Sequence, residues 1–306
     1  MGPGDVESEP ASQAAPDNWS RWGADDERGA LNLITTDAVR AGAGCVRTGK
    51  VYPLALPIDG DSLPIFAGRP PAQRLTWNSP ADEDEFVPYG APPGMGSSED
   101  LLVIPTHLGT HMDALSHVFS EGTIYNGYPA SSHRTRAGAT RCGIERNGAF
   151  AGRAVLLDVD RHTGGLEPGQ PIDGALLEEC RAAQRCDIGS GDILLVRTGW
   201  TERFVADARS AGWSQAGLGL GAVAFIADHE IAAVGADNSS VEAIPFDRGV
   251  FMGLHLALLR GLGVTLLEHL WLAELSADRC YEMLLSVGGL LVRGATGSPV
   301  NPIAIG

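Results

Sequence analysis

Three of the chain's eight histidines fall within eleven residues, in the stretch HLGTHMDALSH that runs from His107 to His117. The first two, His107 and His111, stand four residues apart, and Asp113 follows them. Neutral imidazole nitrogens and a carboxylate oxygen form a donor set that suits Zn²⁺, Mn²⁺ or Fe²⁺. A catalytic site of this kind keeps one position open for water, whose pKa the metal lowers. The spacing therefore favours a metal site over its alternative, a hydrogen-bonded polar loop.

These spacings constrain the backbone that carries the side chains. On a helix His107 and His111 would share a face, but Asp113 would point away from His111. On a strand His111 and Asp113 would share a face, and His107 would lie roughly 20 Å from Asp113, too far for one ion. A bend brings all three together, and Gly109 stands where it is needed because glycine accepts backbone angles that other residues avoid. We therefore predict a strand end or turn at PTHLGTHMD.

A second pair of candidate ligands lies downstream, in the apolar stretch LHLALLRGLGVTLLEHL. It contains His255 and, thirteen residues later, Glu268. A carboxylate surrounded by leucines is costly to bury alone, so Glu268 needs a cation or a hydrogen-bond donor. A metal ion would meet this need, and so would a helix start or an arginine partner. His117 is the remaining candidate, as a fourth ligand or as a general acid/base beside the metal.

Three further residues are candidates for a substrate pocket. Asp237 and Glu242 lie in GADNSSVEAIPF, although carboxylates in turns at strand ends are commonly structural. Trp77 offers an aromatic wall to a planar substrate, with packing as its alternative role. Ser298 in GSPVN is not a nucleophile elbow, because the chain contains no GxSxG.

The elements that must position these residues alternate between strands and helices. Short, continuously apolar runs predict strands that are covered on both faces; they are LLVIP (101–105), AVLLDV (154–159), DILLVRTG (192–199) and AAVGAD (232–237). VYPLALPI (51–58) predicts a strand broken by prolines. Helical spacing predicts a helix in DGALLEECRAAQ capped by Asp173, and another in TERFVADARSA capped by Thr201. The chain is therefore predicted to have an α/β fold.

Composition and charge exclude several functional classes. The net charge of −16 in 306 residues argues against nucleic acid and anionic membranes as partners. Neither GxGxxG nor GxxxxGK[ST] is present, so nucleotide binding lacks support. The five cysteines form no CxxC pair, which predicts reduced thiols and a cytoplasmic protein. The apolar segment from Gly249 to Leu275 carries several ionisable residues, so we interpret it as buried core rather than a bilayer span.

Domain boundaries follow from shifts in composition along the chain. The first twenty residues contain no apolar run, so we expect no signal peptide and a mobile tail over residues 1–18. Ordered structure is expected as one domain over residues 19–306. Residues 59–98 are rich in Pro, Gly, Ser and Asp and predict a long surface excursion, of the kind that often acts as a functional lid.

The stretch HLGTHMDALSH matches the HxGTHxDxxxH signature of the cyclase-like metal-dependent hydrolases, a family that includes bacterial kynurenine formamidase and isatin hydrolase. GVTLLEHLWL, RWGADDERGALNLIT and GATGSPVNPIAI also resemble segments of this family, so the similarity extends from about Trp19 to the end. Ser116 stands where the formamidase pattern often has proline, which weakens that specific assignment. The chain is also longer than the compact formamidases, which suggests a remodelled pocket and a different substrate.

The resemblance implies a swivelling β/β/α-type α/β fold in a single domain, assembled as a homodimer or homotetramer. It implies zinc or manganese as the metal, with ligands His107, His111 and Asp113. It makes His117 the catalytic acid/base or an additional ligand. By the same resemblance, His255 and Glu268 complete this metal site or form a second one.

The sequence therefore predicts a metal-dependent hydrolase that acts on a small molecule. The bond cleaved is the C–N bond of an amide, lactam or N-formyl group, attacked by a water that the metal activates. One alternative is a cyclase or dehydratase of natural-product biosynthesis that uses the same metal as a Lewis acid. Another is a non-catalytic metal-binding scaffold.

Overall fold

One mixed β-sheet contains most of the strands. The computed structural model describes residues 16–59 and 68–306. In chain order, its strands are β1 (Val51–Pro53), β2 (Gln73–Asn78), β3 (Glu99–Val103), β4 (His111–Asp113), β5 (His133–Arg134), β6 (Gly138–Ala139), β7 (Ala149–Asp158), β8 (Pro171–Ile172), β9 (Ile193–Arg197), β10 (Gly217–Leu218), β11 (Ala233–Ala236), β12 (Thr265–Glu268), β13 (Glu282–Gly288), β14 (Gly297–Pro299) and β15 (Ile303–Ile305). Nine of these described strands form the main sheet, in the order β1-β15-β13-β7-β9-β11-β12-β4-β14. The others form the pairs β2–β3, β5–β6 and β8–β10.

The helices between the strands are short. They are α1 (Thr36–Gly44), α2 (Ile144–Asn147), α3 (Val159–Thr163), α4 (Gly174–Gln184), α5 (Trp200–Ala206), α6 (Ala208–Ala211), α7 (Val223–Asp228), α8 (Gly253–His255) and α9 (Ala273–Asp278). A π-helix spans Leu256–Leu262, and 3₁₀ segments span Gly29–Leu33, Pro80–Tyr89, Tyr125–Gly127, Ala130–Ser132, Leu220–Ala222 and Asp247–Gly249.

One of the two predicted helix caps is confirmed. The side chain of Asp173 accepts the backbone N–H of Leu176 at 2.9 Å and caps α4. The cap predicted at Thr201 is wrong, because α5 already begins at Trp200. The hydroxyl of Thr201 instead donates to the carbonyl of Asp237 at the end of β11. The side chain of Thr201 thus makes a tertiary hydrogen bond instead of capping the helix.

Four parallel strands, β7, β9, β11 and β12, form the middle of the main sheet. Their side chains alternate between two hydrophobic cores: on β9, Leu194 and Val196 belong to one core, while Ile193 and Leu195 belong to the other. Because both faces are covered, apolar residues are favoured at every position. The strands predicted at 154–159, 192–199 and 232–237 are therefore confirmed.

Strands β2 and β3 form an antiparallel hairpin outside the main sheet, and we call residues 73–103 the arm. The sequence LLVIP predicts that β3 is covered on both faces. Instead Leu101, Leu102 and Val103 are 46%, 49% and 51% exposed, so that prediction is wrong. Among the described strands β3 pairs with β2 alone, and it therefore lacks the neighbours that would cover its faces.

The excursion predicted at residues 59–98 contains regular structure in its described part. It includes β2 and the 3₁₀ segment Pro80–Tyr89, which a capping box formed by Ser79 and Asp82 begins. Residues 60–67 lie outside the described residues. The strand predicted at 51–58 is limited to Val51–Pro53, in agreement with its interruption by prolines.

Most of the apolar segment from Gly249 to Leu275 is buried, as predicted, and it contains α8, the π-helix and β12; Val250 and Phe251 near its start are exposed. In the described part of the chain, no helix has the length and apolarity needed to cross a bilayer. Asn18, the last residue of the predicted tail, binds this segment through hydrogen bonds from its N to Gly261 O (3.0 Å) and from its Nδ2 to Leu262 O (2.9 Å). Trp19, the first residue of the predicted domain, adds a bond from its Nε1 to Arg260 O (2.7 Å). Residues 1–15 of the tail lie outside the described residues.

Candidate metal centre

Strand register brings three of the candidate ligands together. β4 pairs antiparallel with β12, and Glu268 lies directly opposite His111. His111 and Asp113 are two residues apart on β4, so their side chains point to the same face. His111 Nε2 lies 3.2 Å from Glu268 Oε2 and 3.6 Å from Asp113 Oδ1, and all three side chains are buried.

A bend at Gly109 turns His107 back towards these residues. Gly109 has a φ of +64°, in the left-handed region that favours glycine, so the predicted bend is confirmed. His107 Nδ1 lies 2.8 Å from Asp113 Oδ1, and its Nε2 lies 3.1 Å from Thr296 Oγ1. On the neighbouring strand β14, a Cβ at Gly297 would lie 2.5 Å from His107 Cε1. The missing side chain of Gly297 therefore makes room for the imidazole ring.

His255 and His117 complete the group from other elements. His255, at the end of α8, places its Nε2 3.2 Å from Glu268 Oε1 and 3.8 Å from Asp113 Oδ2. The ring of His117 stacks on that of His107, with centroids 3.9 Å apart. We call the six residues the histidine–carboxylate centre: His107, His111, Asp113, His117, His255 and Glu268.

The tautomers of His111 and His255 are fixed by hydrogen bonds at Nδ1, the ring nitrogen that does not face Asp113 or Glu268. His111 Nδ1 lies 2.8 Å from the carbonyl oxygen of Gly109 and must donate to it, because a carbonyl only accepts. His255 Nδ1 lies 2.5 Å from Glu242 Oε1 and donates to that carboxylate. In the neutral rings each Nε2 then carries a lone pair that faces carboxylate oxygens. A lone pair and a carboxylate repel one another unless positive charge lies between them.

The pKa values of His255, Glu268 and Asp113 also indicate that the buried carboxylates require positive charge beside them. Burial alone would lower the pKa of His255, but hydrogen bonds to Glu242 and Glu268 outweigh burial and raise it to about 10. Burial alone would raise the pKa of Glu268, but the charge and hydrogen bond of His111 dominate and lower it to about 2. In the same way, neighbouring histidines outweigh burial and hold the pKa of Asp113 well below its usual range. Both carboxylates therefore stay ionised.

The donor set fits a divalent metal. Asp113 Oδ2 is buried and has no hydrogen-bond partner among the described residues. Donor atoms of His111, Asp113 and Glu268 all lie within 4.8 Å of one another, and so do those of His107, Asp113 and His117. Bonds from zinc to nitrogen and oxygen ligands are about 2.0–2.2 Å, so the donors of one ion lie up to about 4.4 Å apart, and either trio is close to that spacing. Imidazole and carboxylate together suit zinc or manganese.

A cavity of 190 Å³ opens onto this centre. It is lined by five residues of the centre, namely His107, His111, His117, His255 and Glu268, and by Arg69, Ser239, Ser240, Phe246, Phe251 and Met252. The rings of Phe246 and Phe251 meet edge to face with centroids 5.1 Å apart, and Phe251 is 71% exposed. The cavity thus has the polar centre on one side and an aromatic wall on another.

The three residues predicted to line a substrate pocket do not line this cavity. Asp237 is buried, and its carboxylate accepts the N–H groups of Thr198 and Gly199 and the Thr198 hydroxyl, each at 2.7 Å. It therefore holds the turn between β9 and α5. Glu242 binds His255 from behind the cavity. Trp77 is 71% exposed on the arm. The role of these three residues in substrate binding therefore stays a prediction, with no support from the lining of this cavity.

Several residues of the site escaped sequence analysis. Ser239 and Ser240 lie between the two carboxylates that the sequence does single out, and Phe251 precedes His255 by only four positions, so proximity to those residues was a usable signal. Arg69 comes from a distant loop and has no such signal. His269 follows Glu268, is buried, and places its ring centroid 6.2 Å from that of His111.

Comparisons with known proteins agree with this fold. Residues 52–243 match the family described as Cyclase. The crystal structure of "a novel cyclase" is 36% identical, with a TM-score of 0.87 over 95% of this chain and 98% of that one. Isatin hydrolase A from Labrenzia aggregata, bound to benzyl benzoate, is 20% identical, with a TM-score of 0.61 over 88% and 97%. The "predicted metal-dependent hydrolase" from Bacillus stearothermophilus is 20% identical, with a TM-score of 0.53 over 83% and 97%.

No protein of curated function matches the chain. The solved structures nevertheless confirm the predicted fold class, an α/β fold of the swivelling β/β/α type shared with cyclase-like hydrolases. The range matched by the family, residues 52–243, contains four residues of the histidine–carboxylate centre, namely His107, His111, Asp113 and His117.

Proposed function

Because the chain belongs to the cyclase family, we propose that it is a metal-dependent hydrolase that cleaves the C–N bond of an amide, lactam or N-formyl small molecule. The observation that carries the proposal is the convergence of histidine Nε2 atoms on two buried, ionised carboxylates. One oxygen there, Asp113 Oδ2, has no hydrogen-bond partner among the described residues. Such an arrangement is unfavourable by itself and favourable around a divalent cation.

The ligands in this proposal are His107, His111 and Asp113, with His255 and Glu268 completing the set. When bound, zinc or manganese supplies Lewis acidity for the scissile carbonyl and lowers the pKa of a water molecule. The protein residues hold that charge in place, since the two carboxylates neutralise it and the outer hydrogen bonds of His111 and His255 keep both Nε2 atoms directed inward.

His117 moves the proton in this mechanism. It lines the cavity, and its ring is held against that of His107. Burial lowers the pKa of His117 to about 4, so the ring is neutral at neutral pH and can accept a proton. It then takes a proton from the attacking water and gives it to the leaving nitrogen.

The experiment compares metal content and turnover in the wild type, His111→Ala and His117→Gln. Protein purified without added metal is analysed by plasma emission spectrometry and assayed against cyclic amides and N-formyl amides. We expect near-stoichiometric metal in the wild type and its loss in His111→Ala. His117→Gln should keep the metal and lose about 10²- to 10⁴-fold in kcat, the usual contribution of a general acid/base.

Two outcomes would change the assignment. A wild type that binds neither zinc nor manganese after reconstitution has no metal centre, and the stretch HLGTHMDALSH is then a polar loop. Loss of metal in His117→Gln makes His117 a ligand rather than the acid/base.

A second candidate is ring closure or dehydration by the same centre, favoured by the 36% identity to a structure described as a novel cyclase. Product analysis separates the two reactions, because hydrolysis adds water to the substrate whereas dehydration removes it. Bound metal with no turnover of amides or poly-ketones would support a non-catalytic scaffold.

A further inference from the structure

Glu242 lies outside the cavity but contacts the helix that carries His255. Its side chain is buried, its Oε1 lies 2.5 Å from His255 Nδ1, and its Oε2 accepts the backbone N–H of Leu254 at 3.2 Å. A single carboxylate thus holds both the imidazole ring and the backbone of α8.

The loop around Glu242 is itself fixed. Val241 has a φ of +59°, a conformation that a β-branched residue rarely adopts. The carbonyl oxygen of Glu242 accepts hydrogen bonds from Ser240 Oγ at 2.8 Å and from Asn238 Nδ2 at 3.2 Å. Strained residues of this kind persist only where their surroundings over-determine them, and they concentrate at functional sites. These contacts fix the backbone of Glu242, and the hydrogen bonds to Leu254 and His255 then orient its carboxylate.

We propose that Glu242 is a positioning residue that holds His255 in the tautomer whose Nε2 lone pair faces Asp113 and Glu268. The proposal rests on the proposed function in one respect, namely that the histidine–carboxylate centre binds a divalent metal. A carboxylate that accepts the second N–H of a metal-ligating histidine orients the ring and raises its basicity. Glu242 is placed for both effects.

His111 and His255 differ in the strength of this support. His111 donates its Nδ1–H to a neutral carbonyl, that of Gly109, whereas His255 donates to the carboxylate of Glu242. A charged acceptor forms the stronger hydrogen bond. His255 is therefore the better donor to the metal, and loss of the Glu242 charge should weaken metal binding about 10- to 100-fold.

The test uses Glu242→Gln in the full chain, with Glu179→Gln as the control because Glu179 is exposed on α4. Zinc affinity is measured by titration of metal-free protein against a chromophoric chelator. Long-range ¹H–¹⁵N spectra of histidine-labelled, zinc-loaded protein identify which nitrogen of His255 carries the proton. We expect the tenfold or greater loss in Glu242→Gln alone, and an Nδ1–H signal for His255 in the wild type.

Two results would overturn the assignment to Glu242: unchanged zinc affinity in Glu242→Gln, or an Nε2–H tautomer for His255 in the wild type. The second needs no variant, so it holds even if Glu242→Gln does not fold. A wild type without zinc affinity overturns the proposed function and this proposal together. Normal wild-type affinity with an unaffected Glu242→Gln overturns this proposal alone.

Discussion

Two antiparallel strand pairs of this molecule differ in burial, because one has buried side chains and the other has exposed ones. β4 and β12 bury every residue, although His111, Asp113 and Glu268 are among them. β2 and β3 leave nearly every residue exposed, although Leu75 and Leu101 are among them. The first pair lies inside the main sheet, between β11 and β14, and the second stands outside it. Burial thus depends on the neighbours of a strand pair more than on its own polarity.

The largest expected effect on stability comes from the buried pair. Leu267 lies on β12, beside Glu268, and is fully buried in one of the two cores. Leu267→Ala should lower the free energy of unfolding by about 2–5 kcal/mol, because the deletion leaves a cavity in a packed interior. Urea denaturation of metal-free protein measures the change. A loss below about 1 kcal/mol would mean that this pair is less tightly packed than its burial indicates.

A smaller effect is expected where the buried pair borders β14. In Gly297→Ala the new methyl group would lie 2.5 Å from His107 Cε1, so the ring must move. Overpacking of this kind typically costs about 1–3 kcal/mol, and displacement of His107 should also weaken zinc binding. Thermal unfolding and zinc titration measure the two consequences. Gly288→Ala is a control, since nothing lies within 4 Å of a Cβ there; equal effects in both variants would contradict the steric explanation.

Metal binding should also depend on pH, because His255 on α8 lies against Glu268 of the buried pair. The pKa of His255 is raised to about 10, so below that pH a proton occupies the ring and must leave before Nε2 can bind a metal. Zinc affinity should therefore fall as the pH is lowered, by about tenfold per pH unit for each proton displaced. Calorimetry in buffers of different ionisation enthalpy counts the protons released. Release of no proton at neutral pH would contradict this account of His255.

The smallest effect is expected on the arm. Leu101→Ala removes a side chain that is already 46% exposed, so the free energy of unfolding should change by no more than about 0.5 kcal/mol under conditions that keep the chain monomeric. Urea denaturation at low protein concentration provides the comparison with Leu267→Ala. A loss similar to that of Leu267→Ala would show that the arm is covered within the monomer.

Sequence reasoning succeeds where the controlling contacts are local. The four-residue step from His107 to His111, the glycine between them and the alternation along β4 were sufficient to predict the bend and the shared face. The need of Glu268 for a positive partner also follows from its leucine neighbours alone. In each case the side chains and the backbone that orients them are close in sequence.

The remaining features depend on contacts between distant segments. The position of the Asp237 carboxylate, which accepts hydrogen bonds from Thr198 and Gly199, follows from no local pattern in the sequence. The apolar run in β3 is indistinguishable in composition from that in β9, and only strand pairing separates an exposed strand from a buried one. Arg69 enters the cavity from a loop with no chemical signature in its sequence. Spacing rules contain no information about such pairings.

The contact between Asn18, Trp19 and the π-helix has a consequence for the order of folding. The last carbonyls of that helix, from Arg260 to Leu262, receive their donors from residues more than 240 positions away in sequence. Closing so long a loop is entropically costly, so contacts of this range form late. His255 is the N-cap residue of the same helix, so the helix that follows this candidate ligand is completed at its far end only when the two distant segments meet. Competence to bind a metal should accordingly be among the last properties that the nascent protein acquires.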